Sequence, residues 1–446
     1  MDFFSGLTGE VVAPGNPLYD QARQEWNRAV QKFPAAIVYC QNKYDVVHAV
    51  KWAVNHHIPL RIRSGGHNFE GYSNGDAVLV IDVSRLNGMK IENGLLRVEG
   101  GVNLQAVYGL LSPLGYPFPG GSCPTAGITG YTLGAGWGLS SRLYGLGCDS
   151  LLEAEMVDAK GRILAVNSSC NPDLFWALKG AGGGNFGVVT SMTFRLPSRV
   201  NVVTTVEFGY ADASHEKQAE FLTAWQAWLK SADSRLTIVV SMYHSKEEGF
   251  GIYGFGLFYG PEAAARQAVK PLDFIRGGMY AYVEGTLEEA MQAVTEGYPP
   301  YEMFKSTGRF VMRPFNGREI YNLTGMLRDV PPGSDLTALS LYAMGGRIKD
   351  ADCRDTAFFF RNAMYIAGIQ SVWSDPKYKD VNTAWVTEKF RYLRGVTNGS
   401  FVNFPFGGLG DYLDAYYGAN ARCLRRVKEK YDPCNVFCFP QCISNC

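Results

Sequence analysis

The sequence predicts an α+β protein, and three observations lead there. Strand-like and helix-like segments alternate through the first 197 residues. After Pro197 long alternating strands trade places with amphipathic helices, which suits an antiparallel sheet flanked by helices and runs to about residue 400. The tail, 401–446, then returns to an extended stretch and a helix over about 411–430.

Taken in order, AAIVYC reads as a buried strand, and DVVHAVKWAVNHH as a helix with Asp45 placed to start it. IPLRIRS alternates like a strand. AVLVIDVS (77–84) is another buried strand, and NGLLRVEGG (93–101) is a strand leaving a turn at Asn93-Gly94. NLQAVYGLLSPLG is a helix ended by its proline. From 115 to 147 glycine dominates, and so dense a loop lets backbone approach a ligand. LLEAEMVDAKGRILAV (151–166) is a hairpin turning at Lys160-Gly161, followed by a short helix, DLFWALKGA, and a closing strand, NFGVVTSMTFRL. Beyond Pro197, HEKQAEFLTAWQAWLKSA (215–232) is helical, and RLTIVVSMYH and FGIYGFGLFYG are strands. SFVNFPF in the tail is extended.

Of 446 residues, 46% are hydrophobic and 19% charged, the balance of a globular protein with a large core. Lys+Arg and Asp+Glu are both 42, and no basic run stands out, which argues against nucleic acid or an anionic membrane as partner. No window reaches the roughly 18 apolar residues of a membrane span. The start, MDFFSGLTGEVVAPGNP, lacks a basic segment followed by an apolar run, so a cytoplasmic protein is expected unless a leader has been removed. Most of the ten cysteines are then expected as free thiols.

Two stretches look like dinucleotide-binding fingerprints, GAGWG (134–138) and GGGNFG (182–187). That mechanism needs a strand before the glycines and a helix after them, and around 182 the order is reversed. His67 and Cys123 are a better pair. Each sits in its own glycine-rich loop, in RIRSGGHNFEGYSNG and PGGSCPTAGITG, and neither spacing suggests a metal site. On local grounds His67 is either a loop-stabilising hydrogen bond or a functional group, and Cys123 either a small buried hydrophobe or a nucleophile. Cys434, Cys438, Cys442 and Cys446 fall four apart. Pro440 opposes a helix there, and in an extended chain neighbours would lie about 13 Å apart, too far for direct disulfides.

RSGGHNFEG, SCPTAGITGYTLGAGWG, LYGLGCDSLLEAEMVDAKG, NPDLFWALKGAGGGNFGVVT and YYGANARCLRRVKEKYDPCNVFCFPQ together resemble the berberine bridge enzyme-like family of FAD-linked oxidases. The likeness runs the length of the chain, in the family's order. It implies a two-part FAD-binding domain of the PCMH type, residues 1–197 joined by the segment 401–446, with a substrate domain, 198–400, inserted between. It implies a bicovalent FAD, held by His67 at the flavin 8α-methyl and by Cys123 at C6. It also implies a cofactor cradle from Arg63, Ser64, Gly65, Gly66, Asn68 and Gly71 in the first loop. The second loop would add Gly121, Ala126, Gly127, Ile128, Gly130, Tyr131, Gly134 and Gly138, and Gly187, Val188 and Asn403 would complete it. A neutral imidazole and a thiolate are nucleophiles suited to an electron-poor ring, and glycines let N–H donors, with Arg63, meet the pyrophosphate.

The implied reaction is hydride transfer from a hydroxylated small molecule to flavin N5. Ala126, small after Cys-Pro-Thr, favours molecular oxygen as acceptor and hydrogen peroxide as product. Two departures bear on the base. Relatives carry Tyr-x-Asn-Tyr where this chain has FVNF, so Phe401 and Phe404 stand for the tyrosines and only Asn403 is kept. Gly368 stands where relatives carry Glu or Gln. Substitute bases are Tyr131, Tyr72, Tyr144 and Gln370. An amine substrate needs no base, which leaves amine oxidation open, as are a dehydrogenase with another acceptor and a flavin-binding protein without turnover.

Overall fold

Three β-sheets carry the chain, and the structure, a computed structural model, describes residues 3–273 and 277–444. The first holds β1 (Glu10–Val12), β2 (Ala36–Tyr39), β3 (Leu60–Arg63) and β4 (Leu79–Asp82) in the order β1-β2-β4-β3. β2 and β3 both run parallel to β4. Every residue of β4 is buried, as expected of a parallel strand covered on both faces. The helix Lys43–Asn55 makes the crossover from β2 to β3. It begins two residues before Asp45, because the Asn42 side chain accepts from the backbone N–H groups of Tyr44 and Asp45 and is the cap. Asp45 turns back instead, its carboxylate accepting from Gln41 N and from the Asn42 amide.

The second sheet is antiparallel: β5 (Met89–Glu92), β6 (Leu95–Glu99), β7 (Leu151–Val157), β8 (Ile163–Asn167) and β9 (Val188–Arg195), in the order β5-β6-β9-β7-β8. Asn93 (φ 51°) and Gly94 (φ 75°) turn β5 into β6, both in the left-handed region that a two-residue hairpin requires. β5, half charged and half exposed, carries too weak a pattern to be expected from sequence. The helix Leu104–Leu111 passes into a 3₁₀ turn, Ser112–Leu114, so Pro113 tightens its end rather than stopping it outright. The glycine-dense stretch is not loop throughout: it holds the short helices Ile128–Leu133 and Ser141–Tyr144.

The third sheet has nine strands: β10 (Val203–Tyr210), β11 (Leu236–Ser245), β12 (Gly249–Phe258), β13 (Met279–Gly285), β14 (Met303–Ser306), β15 (Arg309–Val311), β16 (Ser334–Ala343), β17 (Tyr365–Trp373) and β18 (Asn398–Ser400). Every pairing in it is antiparallel, in the order β13-β10-β12-β11-β16-β17-β15-β18, with β14 also on β17. The helices His215–Leu229 and Lys379–Val396 bury Trp225 and Trp385 at the edge of its core. Each such side chain contributes on the order of 1.5–3 kcal/mol or more by leaving water.

Three tail expectations change. SFVNFPF is strand only to Ser400 and then turns. The helix expected over 411–430 is two helices, Tyr412–Tyr417 and Ala421–Tyr431, broken where Gly418 takes φ 50°. The cysteine run is not extended: the chain turns at Pro440, with Cys442 N–H donating to Phe439 O, and brings the Cys438 and Cys442 sulfurs to 3.6 Å. Cys446 lies outside the described residues. The other nine cysteines are free thiols, and no cluster of three or more metal-binding side chains occurs among the described residues. Among them, too, no helix is long and apolar enough to cross a membrane.

Candidate active site

β3 ends at Arg63 and releases the first glycine loop; the second follows the helix Leu104–Leu111. Their backbones touch: a Cβ at Gly65 would lie 2.3 Å from Gly127 N, and one at Gly127 would lie 2.3 Å from Ser64 Oγ. Only glycine permits that approach. Ser64 Oγ donates to Gly100 O, and Asn68 Oδ1 accepts from Glu70 N and Tyr72 N, which fixes the first loop's curve. Gly66 (φ 67°) and Gly71 (φ 65°) supply its left-handed turns.

The contact delivers His67 to Cys123. Cys123 Sγ lies 3.7 Å from His67 Nδ1, while His67 Nε2 is hydrogen-bonded to Thr125 Oγ1 at 2.8 Å. Trp26 stacks on the imidazole with centroids 5.1 Å apart. Burial lowers the His67 pKa to about 4, so the ring is neutral at ordinary pH, and burial likewise raises the Cys123 thiol. The segment 298–304 closes the pair from the third sheet's side. The Tyr298 hydroxyl bonds Ser122 Oγ, Phe304 meets Trp26 edge-on at 5.7 Å, and Glu302, its carboxyl pushed up by burial, acts electrostatically on the Cys123 thiol. The same segment borders a cleft of about 1100 Å³ over the β11–β16–β17 face, lined also by Ser241, Tyr253 and Gln370.

Several expected site residues have other work. Arg63, expected opposite phosphate, is committed internally: its Nε donates to Asp82 Oδ2 at 2.5 Å and Nη1 lies 3.8 Å from Glu25 Oε1. A second cleft, 510 Å³, runs beside Arg63–Gly66 and brings Gln24 and Arg85 to that loop. Tyr131 is not placed as a base, since its hydroxyl donates to Pro119 O at 2.7 Å and burial raises its pKa well above the usual phenol value. Asn403 Nδ2 donates to Tyr131 O at 2.9 Å, and Gly134 exists to admit it, because a Cβ there would lie 1.8 Å from Asn403 Oδ1. Gly138 similarly makes room for Gly120 O. Gly121 abuts the Tyr131 ring, Ile128 is fully buried in the core, and Ala126 O accepts from Leu104 N. Gly187 packs on Val157 O, and Val188 pairs with Val157 in the second sheet. Tyr72 leans on Phe439 with centroids 5.8 Å apart, and Tyr144 meets Tyr259 edge-on; burial raises both phenols, Tyr144 to about 12. Gln370 reaches the large cleft.

Phe404, where a tyrosine was expected, stacks flat on Phe69 (5.1 Å, 7°) and touches Tyr342 (5.1 Å). A Cβ at Gly368 would lie 3.9 Å from Tyr342 Cε2. Tyr342 thus adjoins two of the three altered positions, Phe404 and Gly368. It escaped the sequence reading, as did Trp26, Thr125, Tyr298 and Glu302. Thr125, inside CPTA, was the one with a local signal; the others arrive through tertiary packing.

Comparison with known proteins decides the family. The model of an FAD binding domain matches residues 34–167, and that of berberine and berberine-like proteins matches 400–444. The chain is 35% identical over 449 residues to YgaK, an uncharacterised FAD-linked oxidoreductase of Bacillus subtilis (strain 168), covering 98% of this chain and 97% of that one. It belongs to the berberine bridge enzyme-like family of FAD-linked oxidases. Within that family it is 29% identical to the aclacinomycin-N/aclacinomycin-A oxidase of Streptomyces galilaeus, over 90% of this chain and 83% of that one. The BBE-like 1 structure of Physcomitrella patens superposes with a TM-score of 0.89 at 26% identity, covering 98% and 97% of the two chains.

An FAD binding domain requires room for FAD beside its glycine loops. A Cβ at Gly130 would meet nothing within 4 Å, and the nearest neighbour of one at Gly183 is the Gly130 Cα itself, at 3.8 Å. Thr132 Oγ1 is buried nearby in sequence without a partner. The open space at Gly130, an unpaired hydroxyl and a neutral imidazole beside a thiol fit the cofactor.

Proposed function

We propose that this family member is an oxidase that carries FAD covalently through His67 and Cys123, takes hydride from a hydroxylated small molecule and uses molecular oxygen as acceptor, with hydrogen peroxide as product. The supporting observation is the convergence of Cys123 Sγ and His67 Nδ1 at 3.7 Å from two separate loops. Thr125 occupies His67 Nε2 and so leaves Nδ1 as the linking nitrogen. When bound, FAD supplies the hydride acceptor at N5 and the passage of electrons to oxygen.

The chain's own residues handle position and proton. Trp26 holds the imidazole plane, and Phe69, Phe304 and Phe404 exclude water from the side where a substrate carbon reacts. The proton of the substrate hydroxyl passes to Tyr342. Burial keeps that phenol protonated, so it works as a relay: Ser340, two residues back on β16, acts on it, and Ser340 Oγ lies 2.8 Å from Ser241 Oγ, which opens on the cleft. As the substrate proton arrives, the phenol proton moves to Ser340, that of Ser340 to Ser241, and that of Ser241 to water in the cleft. A second reading, oxidation of a neutral amine, draws on the ring wall itself, since Phe69 and Phe404 offer no proton acceptor and an amine needs none.

Two experiments test this. Acid-precipitated protein stays yellow, and the His67→Ala/Cys123→Ala double variant releases all flavin; colour lost from the unmodified protein would refute both links. Anaerobic bleaching of the flavin by sugars, alcohols or phenols, with peroxide on readmitting air, supports the oxidase. Bleaching by amines alone selects the second reading, and bleaching by nothing refutes both. Bleaching without peroxide points to a different acceptor.

A further inference from the structure

The described tail contains one thiol pair that neither the fold nor the proposed reaction uses. Cys438 and Cys442 sit on either side of the turn at Pro440, with sulfurs 3.6 Å apart. Their accessibilities differ sharply: Cys438 is exposed and Cys442 is 4% exposed. Arg61 places a permanent cation beside both sulfurs. Its Nη1 donates to Cys438 O, its charge acts on each thiol, and its buried Nε has no hydrogen-bond partner. Burial, the largest cause, raises the Cys442 thiol.

The turn between them is tied to the His67 loop, to the 182–187 loop and to the rest of the tail. Phe439 packs on Tyr72 and against Gly184. Gln441 bonds Phe406 O and the Tyr416 hydroxyl, the Tyr412 hydroxyl donates to Cys442 O, and Ile443 N donates to Asn185 Oδ1. Arg61 is two residues upstream of Arg63 on β3, the strand that releases the His67 loop. A crosslink here would fix the contact between the tail and that loop.

We propose that Cys438 and Cys442 form a reversible redox dithiol that hydroperoxides oxidise to an intramolecular disulfide. The exposed Cys438 thiolate attacks the peroxide O–O bond and leaves as a sulfenic acid, releasing one water once the departing hydroxide takes a proton. Cys442 sulfur then attacks the sulfenic sulfur, forming the S–S bond and releasing the second water. In sum, two thiols and one hydrogen peroxide give one disulfide and two waters, the sulfurs oxidised by two electrons and the peroxide reduced by two. Turnover of the proposed oxidase is one source of that oxidant, and in this respect alone the inference rests on the oxidase reading.

The holoprotein, with no substrate, is treated with stoichiometric hydrogen peroxide and then mapped by mass spectrometry. The expected result is the loss of two hydrogen atoms in mass, one peptide linking Cys438 to Cys442, and full reversal by dithiothreitol. In Cys442→Ser the reaction stops at a dimedone-reactive sulfenic acid on Cys438, and in Cys438→Ser the buried Cys442 stays reduced. Cys438 driven to sulfinic acid beside a free Cys442, or a crosslink from Cys438 to Cys434 or Cys446 instead, overturns the proposal. The wild-type map alone suffices if a variant fails to fold. Added peroxide needs no turnover, so failure of the oxidase reading leaves this result intact. Crosslinking by added peroxide but not during turnover counts against the oxidase and not against the dithiol.

Discussion

Asn403 Nδ2 donates to the Tyr131 carbonyl at 2.9 Å, and the same amide fills the space that a Cβ at Gly134 would need. One hydrogen bond therefore pins the tail to the C-terminal end of the helix Ile128–Leu133. Gly134→Ala drives a methyl to 1.8 Å from Asn403 Oδ1 and is expected to cost about 1–3 kcal/mol. Asn403→Ala removes the obstacle, so in the double variant most of the Gly134→Ala penalty disappears. Denaturant unfolding of the four-protein cycle measures the coupling, and strict additivity would show that the two side chains do not meet.

The proposed covalent links divide differently. Each of His67→Ala and Cys123→Ala keeps one link and therefore acid-stable colour, whereas the pair keeps none. The pH dependence of attachment follows from burial of His67, whose pKa falls to about 4. A group with a depressed value stays deprotonated as pH falls through its ordinary range and is protonated only near the lowered one. Covalent incorporation of FAD into Cys123→Ala apoprotein, which leaves only the His67 link, should then run at pH 5.5 within about twofold of its pH 7.5 rate, where an ordinary histidine would lose about tenfold. Fluorescence of the denatured protein band reads this directly.

Glu25 titrates in the opposite sense. It is buried beside Arg63, takes a hydrogen bond from Ser73 Oγ at 2.8 Å, and burial raises its pKa to about 7. A raised carboxyl binds its proton more tightly folded than unfolded. Its contribution to stability is complete below about pH 4.5 and declines as pH rises to about 7. Glu25→Gln is expected to flatten that decline, raising stability at pH 8 by on the order of 1–3 kcal/mol and leaving pH 4.5 nearly unchanged. Thermal unfolding at the two pH values tests it, and equal effects at both would contradict the assignment.

Those two titrating groups show what the sequence could and could not disclose. His67 drew notice as a histidine among glycines in RSGGHN, open on local grounds between a loop hydrogen bond and a functional group, and Cys123 stood in a similar loop. β2, β4 and the helix between β2 and β3 were legible for the same reason: apolar runs and 3.6-residue spacing survive in any context. Glu25 carried no such mark, since its importance comes from Arg63, which β3 brings to it. Arg63 beside a glycine loop suggests phosphate, and only the fold shows that Asp82 holds its Nε, with Glu25 close by. The segment 298–304 and Tyr342 reach the site from the third sheet, across spans that leave no local pattern. The tail misled through geometry, because spacing cannot report a turn at Pro440.

Lys428 holds that tail from beneath. It is fully buried, and its ammonium donates to Asp432 Oδ2, Asn185 O and Phe437 O, each at 2.7 Å. All three of its hydrogens are used, which is the condition under which a buried ion is tolerated. Asp432 in turn accepts from Val436 N and Phe437 N. Lys428→Met leaves a buried carboxylate and two carbonyls without their donor, and is expected to cost about 3–5 kcal/mol. Lys428→Met with Asp432→Asn should recover part of that loss. Chemical denaturation of both variants decides it, and no recovery would mean that the carbonyls rather than the charge set the cost.

Tyr342 is where the proposed chemistry is most exposed to test. Its ring touches Phe404 at 5.1 Å and meets Trp137 edge-on at 5.2 Å, so Tyr342→Phe preserves the packing and removes only the hydroxyl. On a hydroxylated substrate kcat is expected to fall by about 10²–10⁴-fold with KM little changed, the size of a lost proton-transfer step. Ser340→Ala interrupts the relay one bond further out and should lower kcat less than Tyr342→Phe, while Ser241→Ala, at the cleft, should lower it least. An amine needs no proton removed from oxygen, so its oxidation would pass through all three variants nearly unchanged. Steady-state kinetics on one alcohol and one amine separate the cases. A Tyr342→Phe protein that oxidises the alcohol at full rate would place the proton acceptor elsewhere, with Glu302, which acts electrostatically on Cys123 and is held above the ordinary carboxylate range, as the next group to replace.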